Sequence, residues 1–194
     1  MKKNLAFLFA LLMLALALAG CGGNPGSAAS NPPAGSDSPT QATEPAKQGG
    51  DHVVDYKLDI PDGFDPTEQE GLTACWYAAD GSNINLNVSE KNSATDLGFK
   101  AITAQMLSTT LVSEMEKVYG SKPTITDRYF TQNDVSGLEA YQYSYDLKLD
   151  DMEMTQIIVS INADKTYTFT YTTSDPAMVE TFEASSKNIQ LILE

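Results

Sequence analysis

Cys21 is the residue whose type and surroundings predict a specific reaction. It follows the apolar run Leu5–Ala19 closely, and a pair of lysines precedes that run. The run is shorter than the roughly 20 apolar residues that a membrane-spanning helix needs, so it is typical of a secretory signal. A cysteine thiolate is a good nucleophile and can form a thioether to a lipid. The sequence therefore predicts a cleaved signal followed by a lipid-modified cysteine.

The segment around this cysteine, Leu18-Ala19-Gly20-Cys21, resembles the lipobox of bacterial lipoproteins. The resemblance implies cleavage between Gly20 and Cys21 by lipoprotein signal peptidase, which leaves Cys21 as the lipid-bearing mature N-terminus. Two or more acyl chains hold a protein firmly on a bilayer. We therefore expect the protein to be anchored by lipid to the extracytoplasmic face of the cell membrane. The alternative is an ordinary secreted protein with a cysteine after its signal by chance.

A linker is predicted between this anchor and a globular domain. The segment from Gly22 to Asp51 consists largely of Gly, Pro, Ser, Ala and Asn, and it has no aromatic or large aliphatic side chain. It cannot bury enough apolar surface to offset the entropy lost on ordering, so we expect it to be disordered. The chain thus divides into a signal peptide (1–20), a lipidated cysteine with its linker (21–51) and one domain (52–194).

The charge of the chain limits its partners. The formal net charge is −14 at pH 7. Nucleic acids and anionic lipid surfaces bind clustered lysine and arginine, so neither is expected as a partner. The acidity is explained by the solubility that it gives to an exported domain, and a basic partner or a cation stays open as the alternative.

Residues for catalysis or metal binding are few. His52 is the only histidine, and at the linker boundary we expect neither a pocket nor a partner for it. Because the only histidine lies at this boundary, we expect no histidine-based triad, and a multi-histidine metal site would need further histidines. Asp146 and the run Asp150-Asp151-Met152-Glu153 offer oxygen ligands of the kind that calcium prefers, but two aspartates also suit a hairpin turn, which we favour. We therefore predict no enzymatic activity, no cofactor and no metal ion.

Cys75 is the second cysteine of the chain. With Cys21 lipidated it has no partner for an intramolecular disulfide. It lies in an apolar stretch, Leu72–Tyr77, where a buried and inert thiol is expected rather than a reactive one.

Aromatic residues form the candidate ligand-binding surface. Tyr141, Tyr143 and Tyr145 alternate along one predicted strand and so share one face. Such rings can stack on a sugar or a peptide in a cleft, or they can pack as core beneath a helix. Trp76 is the fourth candidate, with the same two alternatives, of which we favour the core. The residues expected to extend this surface on neighbouring strands are Tyr129, Tyr167, Phe169 and Tyr171.

The elements that must position these side chains follow from periodicity. Alternation predicts strands at Tyr56–Ile60, Leu72–Ala78, Asn83–Val88, Thr124–Thr131, Leu138–Leu149, Met154–Ile161 and Thr166–Thr172. The expected turns are a type I′ turn at Asp80-Gly81, then Asn133-Asp134, Asp150-Asp151 and 163–165. Because short turns join antiparallel neighbours, the strands predict an antiparallel sheet of about six to seven strands.

Two helices are predicted to cover this sheet, which makes the fold class α+β. Apolar residues recur at helical spacing from Phe99 to Val118, with Ser93 or Thr95 as the cap and Gly120 at the end. Ser174-Asp175-Pro176 has the form of a second helix start. The residues expected on the buried face of that second helix are Met178, Val179, Phe182 and Ile189.

This order of elements resembles the PsbP/Mog1-like family, an α/β/α sandwich also found in bacterial lipoproteins. The segment Ile60-Pro61-Asp62-Gly63-Phe64 is similar to that family's strand-ending P-x-G-[FW] motif, and Tyr167–Thr173 resembles its final strand. The family consists mostly of binding and accessory proteins. The resemblance implies a non-catalytic domain that binds another envelope protein. The alternative is a receptor for a small ligand, such as a carbohydrate or a peptide.

Overall fold

The computed structural model describes residues 51–91 and 98–194. Their strands are β1 (Val53–Lys57), β2 (Phe64–Pro66), β3 (Ala74–Ala78), β4 (Asn83–Ser89), β5 (Thr124–Val135), β6 (Leu138–Leu149), β7 (Met152–Asn162), β8 (Thr166–Thr173) and β9 (Gln190–Leu193). Their helices are a 3-10 turn (Phe99–Ala101), α1 (Ala104–Tyr119) and α2 (Pro176–Lys187). The predicted signal, Cys21, nearly all of the linker, Ser93 and Thr95 lie outside the described residues.

Seven strands form one antiparallel sheet in the order β2-β3-β4-β8-β7-β6-β5. The predicted sheet of six to seven strands with two helices is confirmed. The strand expected at Tyr56–Ile60 is shifted to β1, which pairs with β9 in a separate two-stranded ribbon. Neither β9 nor the three-residue β2 is among the predicted strands, because segments this short carry little alternation.

The two faces of the sheet carry separate apolar clusters. One packs against α1 and includes Leu111 and Met115, whereas the other packs against α2 and the β1–β9 ribbon and includes Phe182 and Leu191. In the sheet register Tyr143 lies opposite Ile158, which lies opposite Thr170. Residues paired in this way share a face. The α1 face therefore holds the even-numbered residues of β8.

This register overturns one expectation about the aromatic residues. Tyr141, Tyr143 and Tyr145 face α1, while Phe169 and Tyr171 belong to the cluster under α2. Tyr129 and Tyr167 also lie on the α2 face. The aromatic surface is thus divided between the two sides of the sheet, because only the pairing of strands decides which odd-numbered residues align.

Helix α1 begins later than the apolar period suggests. Thr103 is its N-cap, with its side-chain oxygen accepting from the backbone N–H of Met106, and the extended backbone of Ile102 separates it from the 3-10 turn. Gly120 ends the helix with φ +72°, as expected. Met106 is 55 % exposed, because five residues place it about 140° around the helix from Leu111.

Helix α2 has the predicted start. Asp175 is the N-cap and Pro176 the first helical residue, while Val179 and Phe182 are buried. Ile189 is buried too, but it lies beyond the end of the helix, in the connection to β9. In the part of the chain that the structure describes, no helix is long and apolar enough to cross a membrane.

Two turns differ from those expected. Ser136 (φ +55°) and Gly137 (φ +79°) connect β5 to β6, and Asn133-Asp134 instead continues β5. At the β3–β4 turn, Gly81 donates to the carbonyl of Ala78, and Ala78 donates to the carbonyl of Ser82. This is a three-residue loop in which Gly81 (φ +93°) follows the turn. A type I′ turn would also need positive φ at the residue before it.

Candidate functional site

A groove opens where the sheet extends past α2, near the β6–β7 turn. It has a volume of about 650 Å³. We call it the α2 groove. Its floor carries Thr126, Asp146 and Thr155, which are direct cross-strand neighbours. Its wall is the stretch of α2 that begins at Pro176 and includes Glu180 and Glu183. The groove therefore consists of a polar sheet surface beside a helix.

Strand alternation explains the polarity of the floor. Along β6, Leu147 packs in the cluster under α1, so Asp146 and Lys148 point to the α2 side. The hydroxyl of Thr155 donates to the Asp146 carboxylate over 2.7 Å. Asp146 was a candidate calcium ligand by sequence, and the structure instead places it in this hydrogen-bonded strand row.

Arg128 reaches into the groove at a β-bulge in β5. The register with β6 shifts between Asp127 and Tyr129, so both Arg128 and Tyr129 lie on the α2 side. The Arg128 guanidinium is 3.4 Å from the Asp146 carboxylate and 3.7 Å from that of Glu183. This arginine thus connects the floor of the groove to its wall.

Tyr129 follows Arg128 in the chain and lies on the same side of the sheet as the groove. Burial, and secondly the charge of Glu183, raise the pKa of Tyr129 to about 12. Its hydroxyl accepts from the Gln142 side chain over 2.9 Å, and the same Gln142 nitrogen donates to Ser186 of α2 over 2.7 Å. The phenol therefore stays protonated at neutral pH as part of a hydrogen-bonded contact between sheet and helix.

Carboxylates outnumber cations in the groove. The carboxylates that line it are Asp146, Glu153, Asp175, Glu180 and Glu183, and the cations are Arg128 and Lys148. Lys148 is 2.5 Å from Glu153, whose hydrogen bond and charge raise the lysine pKa. Asp175 caps α2 by accepting from the N–H of Ala177. Within residues 51–91 and 98–194, Glu180 has no ion-pair partner, so the groove has an excess of negative charge.

The three tyrosines of the candidate ligand surface lie together beneath α1. Tyr143 and Tyr145 are fully buried, with ring centroids 5.0 Å apart, and the Tyr141 ring is 5.0 Å from that of Phe99. Burial is the main cause that raises the pKa of all three phenols. Tyr143 donates to Asp127, and Tyr145 donates to Gln156. Of the two alternatives for these rings, core packing describes their surroundings.

Trp76 is not part of this group. It lies on the opposite face of the sheet, half-buried against the cluster under α2. The structure thus brings the three tyrosines together and leaves Trp76 apart from them. A ligand-binding role for these four residues stays a prediction, as does lipid attachment at Cys21 after cleavage at Gly20, outside the described residues.

His52 has a partner, contrary to expectation. Its Nδ1 is 2.9 Å from the Asp164 carboxylate, and its Nε2 is 4.0 Å from that of Glu194. The backbone is joined at the same place, because Asp164 donates to the carbonyl of Asp51 and Glu194 to that of His52. Asp164 and Glu194 are more than 100 residues away from His52 in the chain, so no local sequence pattern indicates these contacts. His52 therefore marks where the chain enters the domain, beside the β7–β8 turn and the last residue.

The fold places the domain in a structural class, the PsbP-like α+β domains. Among solved structures the chain is similar to the solution structure of cyanobacterial PsbP (CyanoP) from Synechocystis sp. PCC 6803, with 17 % identity, a TM-score of 0.55, and coverage of 71 % of this chain and 86 % of that one. This similarity confirms the PsbP-like fold. No family profile and no curated protein sequence matches the chain.

Two further structures are similar at lower TM-scores. One is PA94 from Pseudomonas aeruginosa, a protein of unknown function and putative regulator, with 15 % identity, a TM-score of 0.38, and coverage of 67 % of this chain and 84 % of that one. The other is LpqN, involved in cell envelope biogenesis of Mycobacterium tuberculosis, with 8 % identity, a TM-score of 0.40, and coverage of 70 % and 82 %.

Proposed function

We propose that this protein is a lipid-anchored, non-catalytic accessory protein on the extracytoplasmic face of the cell membrane, where its domain binds another envelope protein in the α2 groove. The observation that carries the proposal is the groove itself. It is an open surface of about 650 Å³ with a strand floor, a helix wall and ion pairs on both. Such a surface suits non-covalent contact with a polypeptide.

The anchor supports the proposal from the sequence side. The lipobox-like segment that ends at Cys21 predicts a lipidated N-terminus, and the segment after it has the composition of a flexible linker. A tether of this kind confines the domain near the membrane and raises its effective concentration toward partners there.

The lining of the groove favours a protein over a small ligand. Pockets for small molecules are mostly apolar, with a few polar groups that fix orientation. The α2 groove instead carries seven charged side chains, including Arg128 and Lys148. A carbohydrate or peptide ligand is the alternative that the following experiment separates from a protein partner.

The test is photo-crosslinking in cells with the full-length protein. A photoreactive amino acid replaces Thr126 on the groove floor, and a matched variant carries it at Thr109, which is exposed on α1 across the sheet. We expect one dominant envelope protein to be recovered from position 126 and not from 109. The Cys21→Ala variant should lower its yield. Equal recovery from both positions, or no protein adduct from a folded and anchored protein, would refute the proposal.

A further inference from the structure

We infer that the α2 groove binds an extended, lysine- or arginine-bearing segment of the partner protein. This inference rests on the proposed function and adds the chemistry of the partner. Three features of the described residues carry it: the shape of the sheet surface that α2 leaves open, the balance of charge on that surface, and the position of the groove relative to the point where the chain enters the domain.

The shape of the groove fits an extended chain. Its floor comes from β5, β6 and β7 and from Thr173 at the end of β8. Four neighbouring strands span about 14 Å, because strands in a sheet are spaced about 4.8 Å apart. An extended chain advances about 3.3 Å per residue, so about four residues cross this floor. The threonine hydroxyls of the floor, at Thr124, Thr126 and Thr155, offer hydrogen bonds to the backbone of such a segment.

The negative charge of the groove favours a positively charged segment. Arg128 is engaged with Asp146 and Glu183, and Lys148 is engaged with Glu153. Both cations are thus already neutralised. An incoming lysine or arginine meets Glu180 without a competing cation among the described residues and can share Glu183 with Arg128. An anionic segment would meet an excess of three carboxylates, on a chain of net charge −14.

The groove lies far from the point where the chain enters the domain. The chain enters at Asp51 and His52, beside Asp164. Within β7, Thr155 lies in the groove and Asn162 lies next to that entry point. The two residues are seven positions apart, which corresponds to about 24 Å along a strand. The groove and the point where the predicted tether joins the domain therefore lie at opposite ends of the sheet, so a tethered domain can present the groove away from the membrane.

A direct binding measurement tests the charge preference. Full-length protein in a neutral detergent is titrated into fluorescent tetralysine, with tetraglutamate as the opposite probe, and binding is followed by anisotropy. Glu180→Gln/Glu183→Gln removes two groove charges. Its matched control, Glu114→Gln/Glu116→Gln, removes two charges from α1 on the other face, again one ion-paired and one exposed. Glu180→Gln alone leaves every ion pair of the groove in place.

We expect tetralysine to bind and tetraglutamate not to bind. The double groove variant should weaken tetralysine binding at least fivefold, Glu180→Gln should weaken it about twofold, and the α1 control should change it less than the single variant does. Higher salt should weaken binding as well, because the contact is exposed to solvent. Equal losses in the groove and control variants would show that net charge alone attracts the peptide, which overturns the inference.

The same variants in the crosslinking experiment separate this inference from the proposed function. Loss of the position-126 adduct in Glu180→Gln/Glu183→Gln, with the adduct kept in the α1 control, supports a cationic segment. An adduct that persists in the groove variant overturns the cationic segment and leaves the accessory role in place. The absence of any adduct in the parent protein removes both. Thermal unfolding of each variant verifies that the fold is intact.

Discussion

Cys75 is a buried thiol held in a polar contact. It is 3 % exposed, and its Sγ lies 2.7 Å from the Asn85 side-chain oxygen and 3.9 Å from that of Gln69. Burial raises the pKa of the thiol to about 11, because the thiolate loses hydration that the protein does not replace. The expected burial of this residue is confirmed. The neutral thiol is the form that donates to Asn85.

Alkylation tests the reactivity of Cys75. In the Cys21→Ser variant, which leaves one thiol, we expect negligible iodoacetamide labelling of the native protein at pH 8. With a pKa of about 11, about a thousandth of the thiols are ionised at that pH, and only the thiolate reacts. Complete labelling in 8 M urea is the positive control, measured by mass spectrometry. Labelling of the native protein within minutes would contradict the burial.

Gly120 determines where α1 ends. Its φ of +72° lies in the left-handed region, and its N–H donates to the carbonyl of Glu116. A Cβ at this position would meet nothing within 4 Å. The cost of a side chain here is therefore a backbone cost and not a clash.

Substitutions at Gly120 test whether its left-handed backbone ends the helix. Gly120→Ala should lower the free energy of unfolding by about 1 kcal/mol, since the left-handed conformation is less favourable by about that amount for a residue with a Cβ. Gly120→Asn should cost less, because asparagine tolerates this conformation better than alanine. Urea denaturation of the full-length protein measures both. Equal stability of the alanine variant and the parent would mean that the helix ends in another conformation.

The domain joins its first and last strands at one place. β1 and β9 form a ribbon whose residues pack into the cluster under α2, and the His52–Asp164 contact lies beside it. The chain therefore enters and leaves the domain at the end of the sheet opposite the α2 groove. The predicted tether would therefore join the domain away from the proposed binding surface.

Limited proteolysis tests the division into linker and domain. We expect trypsin to cut the native full-length protein first at Lys47. The composition of residues 22–51 predicts a disordered segment, and disordered segments fit into a protease active site more readily than folded ones. The product should be a resistant fragment that begins at Gln48. First cuts at Lys148 or Lys165, which lie in and beside the central strands, would contradict this division. Digestion in urea shows that these sites are cleavable once the domain unfolds.

Features set by neighbouring residues were predictable from the sequence alone. The type and order of the main elements, the start of α2 at Asp175-Pro176 and the end of α1 at Gly120 all follow from backbone chemistry within a few residues. The antiparallel sheet follows as well, because short turns force successive strands to pair with each other. The order of strands and helices was therefore enough to predict the α+β class.

Only the tertiary structure decided how distant segments meet. The register divides Tyr143 and Phe169 between opposite faces, although each sits at an alternating position of its own strand. The β1–β9 ribbon pairs the two ends of the domain, and the α2 groove brings Arg128 against Glu183. How strands pair, where they bulge and how much of the sheet a helix covers all depend on packing between segments that are distant in sequence. Periodicity within one segment therefore indicates which residues share a face, but not which partner that face will meet.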